Sequence, residues 1–305
     1  HTEREPWVDR EDLRMESSGN LAIPLTDDRA EIYAESELRL AVPRGLYELD
    51  ELDVLYDEDE QALWTFMRPA GRPSFTPSML NDFEAWQDLI AEGFGPDKVP
   101  LKFLVLGSRA PGVFCFGGDL ELFARLIEQK DRDRLVEYGH RCVQILHRNM
   151  QSLDIPMLTV GLVEGSALGG GFEALLSFDY IVAERDATFG LPEIMFGLFP
   201  GMGAHAFLRR KLGSAMAERL IVSNETFTAE QMYDLGIVHH LAENGDGVEA
   251  CREFIRKSQR RHPGLANGRK AMKISWDLQL EELCAPDLKI MKRLVAAQGR
   301  LAKAS

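Results

Sequence analysis

The stretch around residues 157–173 constrains the fold most. An apolar run, 157–163, reads as a buried strand and is followed by Glu164-Gly165-Ser-Ala-Leu-Gly-Gly-Gly-Phe-Glu173. Glycines let a chain turn tightly and approach a ligand or another backbone without Cβ interference. Residues 172–177 then read as the start of a helix. A helix N-terminus offers unpaired N–H groups and the positive end of its dipole, which suits a developing negative charge. Glu173 falls in that first turn and Glu193 twenty positions later, in Gly190-Leu-Pro-Glu193. A carboxylate is favoured at a helix start for local reasons too, so Glu173 has a structural reading beside the catalytic one, and Glu193 could be a surface loop residue.

A second strand-to-helix junction mirrors the first. Phe103-Leu-Val-Leu-Gly107 reads as a strand and leads into Val113-Phe-Cys-Phe-Gly-Gly-Asp-Leu120, with Asp119 as candidate N-cap. The N–H groups of Gly118 and Gly170 could converge as a two-donor oxyanion hole for an enolate or a tetrahedral intermediate. In other enzymes, losing one such donor costs roughly 10²–10³ in rate. Gly169, Gly170 and Gly171 could equally serve a close strand–helix crossing.

Three motifs in order carry a resemblance: Phe114–Leu120, Gly165–Glu173, and Leu191-Pro-Glu193 through Pro200-Gly-Met-Gly203. The chain resembles the crotonase (enoyl-CoA hydratase/isomerase) superfamily from about residue 60 onward. Within it, the chain is most similar to the diffusible-signal-factor synthases (RpfF type). That likeness rests on Gly117–Phe123, Arg141–Val143, Leu198–Ala204, Trp276 and Asp287–Gln298. It implies an α/β fold with a ββα spiral core and a C-terminal helical trimerisation region. It implies catalysis by Glu173 and Glu193, an oxyanion hole at Gly118 and Gly170, and substrate contacts at Gly169, Met202 and Trp276. The implied activity dehydrates a 3-hydroxyacyl chain on acyl carrier protein to the cis-2-enoyl form, then cleaves the thioester to free a fatty-acid signal. Conventional enoyl-CoA hydration, or a non-catalytic protein that binds a regulatory sensor, are the competing expectations. The implied assembly is a homotrimer or dimer of trimers.

Composition narrows the partners. At 305 residues and 45% hydrophobic, the chain can bury a substantial core. A net charge of −14 argues against nucleic acid as a general partner. The first sixty residues are strongly acidic, and basic residues gather at 209–211, 252–261 and 269–270. These clusters read first as solvated helix faces and second as docking points for an acidic carrier or a pantetheine phosphate. No apolar stretch reaches the roughly 20 residues of a membrane span and no signal-peptide pattern opens the chain, so a cytoplasmic protein without a membrane partner is expected. Cys115, Cys142, Cys251 and Cys284 lack metal or CxxC spacing and suit a reduced compartment. Cys115 is expected to be a small buried residue rather than a nucleophile. His205 and the pair His239-His240 suggest surface or core histidines, so no metal and no cofactor is expected. Ser166 is outside any GxSxG elbow.

Along the chain, residues 1–45 are expected to form an acidic extension with a possible strand at 38–42. Residues 46–235 form the spiral core and 236–305 a mainly helical region for oligomerisation and active-site cover. Strands are expected at 102–107, 157–163, 178–184 and near 188–189, with strand-like pieces in 51–67. Helices are expected at 79–92 and 120–149, the latter broken near Lys130–Asp133. Trp276, Leu288, Met291 and Leu294 could wall an acyl tunnel or pack against a neighbouring copy.

Glu173, in its helix start, is expected to be the base. Glu193, set between Pro192 and Ile194-Met195-Phe196, is expected to be held protonated as the acid.

Overall fold

The computed structural model describes residues 41–276 and 278–280. A 3-10 turn at Arg44–Tyr47 leads into β1 (Leu52–Asp57) and β2 (Ala62–Met67), an antiparallel hairpin pairing Leu52 with Met67. The hairpin and its turn carry the last of the acidic first sixty residues. Its carboxylates are not simply solvated, because Glu51, Asp57 and Glu60 are buried. Helix α1 (Pro77–Gly93) begins where Thr76 accepts the Met79 N–H at 3.1 Å, and Pro77 occupies a first-turn position that needs no N–H partner.

Three turns of strand, strand and helix follow. The first is β3 (Phe103–Ser108), β4 (Val113–Cys115) and the helices α2 (Leu120–Glu128) and α3 (Arg132–Met150). Asp119 caps α2 as expected, accepting the Leu122 N–H at 2.9 Å. The break between the two helices falls at residues 129–131, where Lys130 has φ 57° and Asp131 caps α3. The second turn is β5 (Leu158–Val163), β6 (Ser166–Leu168) and α4 (Gly170–Leu175). The third is β7 (Tyr180–Glu184), β8 (Thr188–Gly190), a 3-10 turn at Pro192–Phe196 and α5 (Ala204–Leu212).

In each turn the first strand joins one sheet and the second joins another. The six-stranded sheet runs β1-β2-β3-β5-β7 and ends on a later strand; its pairs are parallel apart from β1–β2. The smaller sheet contains β4-β6-β8. This is the expected ββα spiral. Strands β3 and β5 are buried from end to end, apart from the half-buried Ser108, so they read as continuous apolar runs, as parallel strands covered on both faces must. Burial of aromatic side chains such as Trp64, Trp86, Phe103 and Phe114 supplies roughly 1.5–3 kcal/mol each.

Past α5 come α6 (Ser214–Val222), β9 (Thr226–Thr228), α7 (Ala229–Asp234), β10 (His240–Ala242), α8 (Gly247–Ser258) and α9 (His262–Trp276). Within the region from 236, β10 pairs parallel with β7 and completes the large sheet, and before it β9 pairs antiparallel with β8. Of the strand expected at 38–42, residues 38–40 lie outside the described residues and Val42 is not in a strand. Residues 1–37 of the acidic extension, Cys284 and the 287–298 stretch with Leu288, Met291 and Leu294 also lie outside them.

Candidate active site

Two loops that leave the small sheet approach each other. At the end of β4, Gly117 has φ 85°, and a Cβ there would run into the Gly170 N–H. At the end of β6, Gly169 has φ 53°, and a Cβ there would lie 2.8 Å from Glu193 Oε1. Positive φ and close backbone approach both demand glycine at these two positions. The Gly169 N–H donates to the Gly190 carbonyl at 2.8 Å, tying the β6 end to the β8 end that precedes Glu193.

The result is one cleft lined by Gly118, Gly169, Gly170, Glu173, Glu193 and Met202, with Tyr138 and Phe196 among the other walls. Neither the Gly118 nor the Gly170 N–H has an acceptor among the described residues. Six of the seven expected site residues therefore share a single surface.

Glu173 is 1% exposed. Its Oε1 accepts the Met202 N–H at 2.9 Å and the Ala204 N–H at 3.0 Å, both at the N-terminal end of α5. N–H groups aimed at a carboxylate stabilise its charged form. Glu193 sits in the 3-10 turn, and burial pushes its carboxyl up to about 7. Its Oε2 is buried and has no hydrogen-bond partner among the described residues. The two carboxyls thus occupy contrasting environments, the arrangement that separates a base from an acid.

Beside Glu193 the residues Ile194, Met195 and Phe196 are exposed, and so is Leu120, which with Phe196 lines the cleft. An apolar mouth results.

Tyr138 was not singled out by the sequence reading. Its hydroxyl donates to the Phe75 carbonyl at 2.5 Å and accepts the Asp119 N–H at 3.2 Å, which fixes the Gly117–Asp119 loop. The only sequence signal is an aromatic residue on the inward stripe of α3 with Leu135 and Cys142.

Trp276, expected as a substrate contact, is not among the residues that line this cleft. It ends α9, where its carbonyl accepts from Arg210 Nε at 2.9 Å and its ring faces Lys211 Nζ at 5.5 Å. The basic run at 252–261 also has internal work: Arg256 pairs with Glu60 at 3.1 Å and Arg252 with Asp57 at 3.8 Å.

Cys115 is fully buried, with its thiol pushed up to about 12 by burial, so it offers no nucleophile at neutral pH. Burial lowers His239 to about 3, and its Nδ1 accepts the Ile181 N–H at 3.1 Å. The Ser166 hydroxyl shares a 3.0 Å hydrogen bond with Thr188. Among the described residues no group of three or more His, Cys, Asp or Glu is placed to hold a metal ion, and no helix is long and apolar enough to cross a membrane.

Comparison with known proteins adds family evidence. A family model described as enoyl-CoA hydratase/isomerase matches residues 65–300. The fatty acid oxidation complex subunit alpha of Idiomarina loihiensis is 33% identical over 199 residues, 65% of this chain and 26% of that protein. The match thus spans about a quarter of that relative's length. The 2,3-dehydroadipyl-CoA hydratase of Escherichia coli is 28% identical over 243 residues, 78% of this chain and 88% of its own. Among solved structures, an enoyl-CoA hydratase from Geobacillus kaustophilus has a TM-score of 0.66 at 21% identity, covering 80% of this chain and 88% of that one. Pseudomonas aeruginosa DspI has a TM-score of 0.65 at 22% identity, covering 81% and 88%. Both share the fold.

Proposed function

The chain belongs to the enoyl-CoA hydratase/isomerase family, and from that premise we propose that it interconverts a 3-hydroxyacyl thioester and its 2-enoyl counterpart. One observation carries this reading: Glu173 and Glu193, in contrasting environments, line the same cleft as the unpaired Gly118 and Gly170 N–H groups.

The chemistry follows from the placement. The thioester carbonyl oxygen rests between the two N–H groups, which stabilise the negative charge that develops as the Cα proton leaves. Glu173 takes that proton. Glu193, protonated below about pH 7, gives its proton to the departing 3-hydroxyl, so the C–O bond breaks and water leaves. Proton exchange with solvent restores both carboxyls. Hydration runs through the same groups in reverse.

The finer proposal follows the resemblance to signal-factor synthases. The substrate is then carried on acyl carrier protein, and the 2-enoyl product keeps a cis double bond. A water attacks the thioester carbonyl, the hole holds the tetrahedral oxyanion, and the C–S bond breaks to give a free acid and the carrier thiol. Support comes from Leu198–Ala204, the stretch whose Met202 and Ala204 N–H groups hold Glu173. Assembly as a homotrimer in the cytoplasm belongs to the same proposal. A second reading, conventional hydration of free CoA thioesters, is favoured by the coverage of the E. coli hydratase.

The test presents purified protein with 3-hydroxyacyl-carrier protein, its CoA analogue and crotonyl-CoA, with products read by mass spectrometry. Release of a cis-2-enoic acid, lost in Glu173→Gln, supports the finer proposal. Hydration of crotonyl-CoA without free acid supports the second reading. No turnover of any thioester overturns both.

A further inference from the structure

The inward stripe of α9 changes character along its length. His262 and Ala266 are buried, and the next residues at helical spacing, Arg269, Lys273 and Trp276, are half-buried. Two cations thus stand where a helix ordinarily turns apolar side chains toward its neighbours. Lys273 has a counter-ion, Asp179, at 2.7 Å. Arg269 has no acidic partner among the described residues, and its guanidinium lies 4.3 Å from the centroid of the Tyr180 ring. Lys211, in the last turn of α5, is half-buried as well. Its Nζ lies 5.5 Å from the centroid of the Trp276 ring, and among the described residues it too has no acidic partner.

His239, just before β10, adds a third donor. Its ring meets that of Tyr180 with centroids 5.2 Å apart. Its Nδ1 accepts the Ile181 N–H, so the ring proton sits on Nε2, which has no acceptor among the described residues. The three donors also act on one another. Burial and then Arg269 lower the Lys211 ammonium to about 8, and both cations help to keep His239 neutral. The carboxylate nearest them, Asp179, is already taken by Lys273 and by the N–H and hydroxyl of Thr159. Partly desolvated like charges without a counter-ion are unfavourable, and a bound anion relieves both the repulsion and the unmet donors. Two cations and a neutral N–H, arriving from separate elements, suit a tetrahedral oxyanion better than a planar carboxylate with its two oxygens.

We propose that Lys211, Arg269 and His239 bind a phosphate group, free or as the head of a phosphomonoester, with Tyr180 and Trp276 as aromatic walls. None of the five lines the catalytic cleft, so this site stands apart from the thioester reading.

Calorimetric titration at fixed ionic strength tests this, with inorganic phosphate and separately with AMP as probes. Phosphate is expected to bind the wild-type protein saturably, one per chain. Lys211→Met and Arg269→Met are each expected to weaken it about tenfold or more, consistent with loss of a charge-assisted hydrogen bond. Tighter binding of AMP than of phosphate assigns the site to a phosphomonoester whose base meets the aromatic walls; equal or weaker binding assigns it to free phosphate. A second readout needs no variant to fold: the His239 Nε2 resonance of the wild-type protein should shift over the same phosphate concentrations. No saturable binding overturns the proposal. So does binding that both variants keep and that leaves His239 unmoved, which marks an adventitious ion only.

Discussion

Glu193 shows most directly how an environment assigns a chemical role. Burial holds its carboxyl at about 7 against an ordinary value of 4.5, so it stays protonated below about 7 and ionises as the pH rises through that value. Dehydration that uses it as acid is expected to slow above about pH 7, in a pH–rate profile of kcat with 3-hydroxyacyl thioester. Stability follows the same sign. The folded value lies above the unfolded one, so the contribution is complete below 4.5 and is lost as pH climbs to about 7. Glu193→Gln cannot ionise, and above pH 7 it is expected to be more stable than wild type by about 3 kcal/mol. Thermal melts on either side of the 4.5–7 window check this, and a constant difference across the window contradicts it. Tyr138 acts differently, through the backbone it positions. Tyr138→Phe removes the hydrogen bonds to Phe75 and Asp119. It is expected to lower kcat about tenfold and leave KM nearly unchanged, since the Gly118 N–H works mainly on transition-state charge.

At the scale of elements, the site depends on the ends of short strands rather than on their middles. Gly169→Ala forces a side chain into φ 53° and against Glu193, and is expected to destabilise by roughly 1–3 kcal/mol while displacing the acid. Urea unfolding together with dehydratase assay measures both effects; an unaffected midpoint would show the loop to be softer than its geometry implies. Much of this level was legible in the sequence because local rules governed it. The apolar run at 158–163, the Asp119 cap and the glycine turn each follow from residues close in sequence. What escaped was set by contacts far apart in sequence. The three-residue β10, His240–Ala242, has no distinctive pattern and forms because the β7 edge pairs with it. Tyr138 looks like any core aromatic until Phe75, 63 positions away, supplies its acceptor. Trp276 was placed by resemblance, whereas here Arg210 and Lys211 take it up.

Across the whole molecule, α9 is tied to the sheet through a buried ion pair, among other contacts. Lys273 Nζ lies 2.7 Å from Asp179 Oδ1, whose side chain is fully buried at the start of the β7 segment, and 3.2 Å from Ser152 Oγ. Asp179 also accepts the Thr159 N–H, so it joins β5 to α9. Asp179→Asn leaves a largely buried ammonium without its charge partner. It is expected to cost about 3–5 kcal/mol and to raise amide exchange in 262–276 before it raises exchange in β5. Uniform loss of protection would show instead that the helix and sheet unfold as one unit.

The central claim is that Glu173 and Glu193 work as one proton-transfer pair beneath a shared oxyanion hole. The most direct measurement is the dehydration rate of a 3-hydroxyacyl thioester by the wild-type protein, Glu173→Gln, Glu193→Gln and the double variant. Each single change is expected to remove at least about 10² in kcat, and the double variant to be scarcely slower than the worse single, because residues acting as a unit are non-additive. Near-wild-type activity in either single variant, or two losses that multiply fully in the double, would contradict the pair.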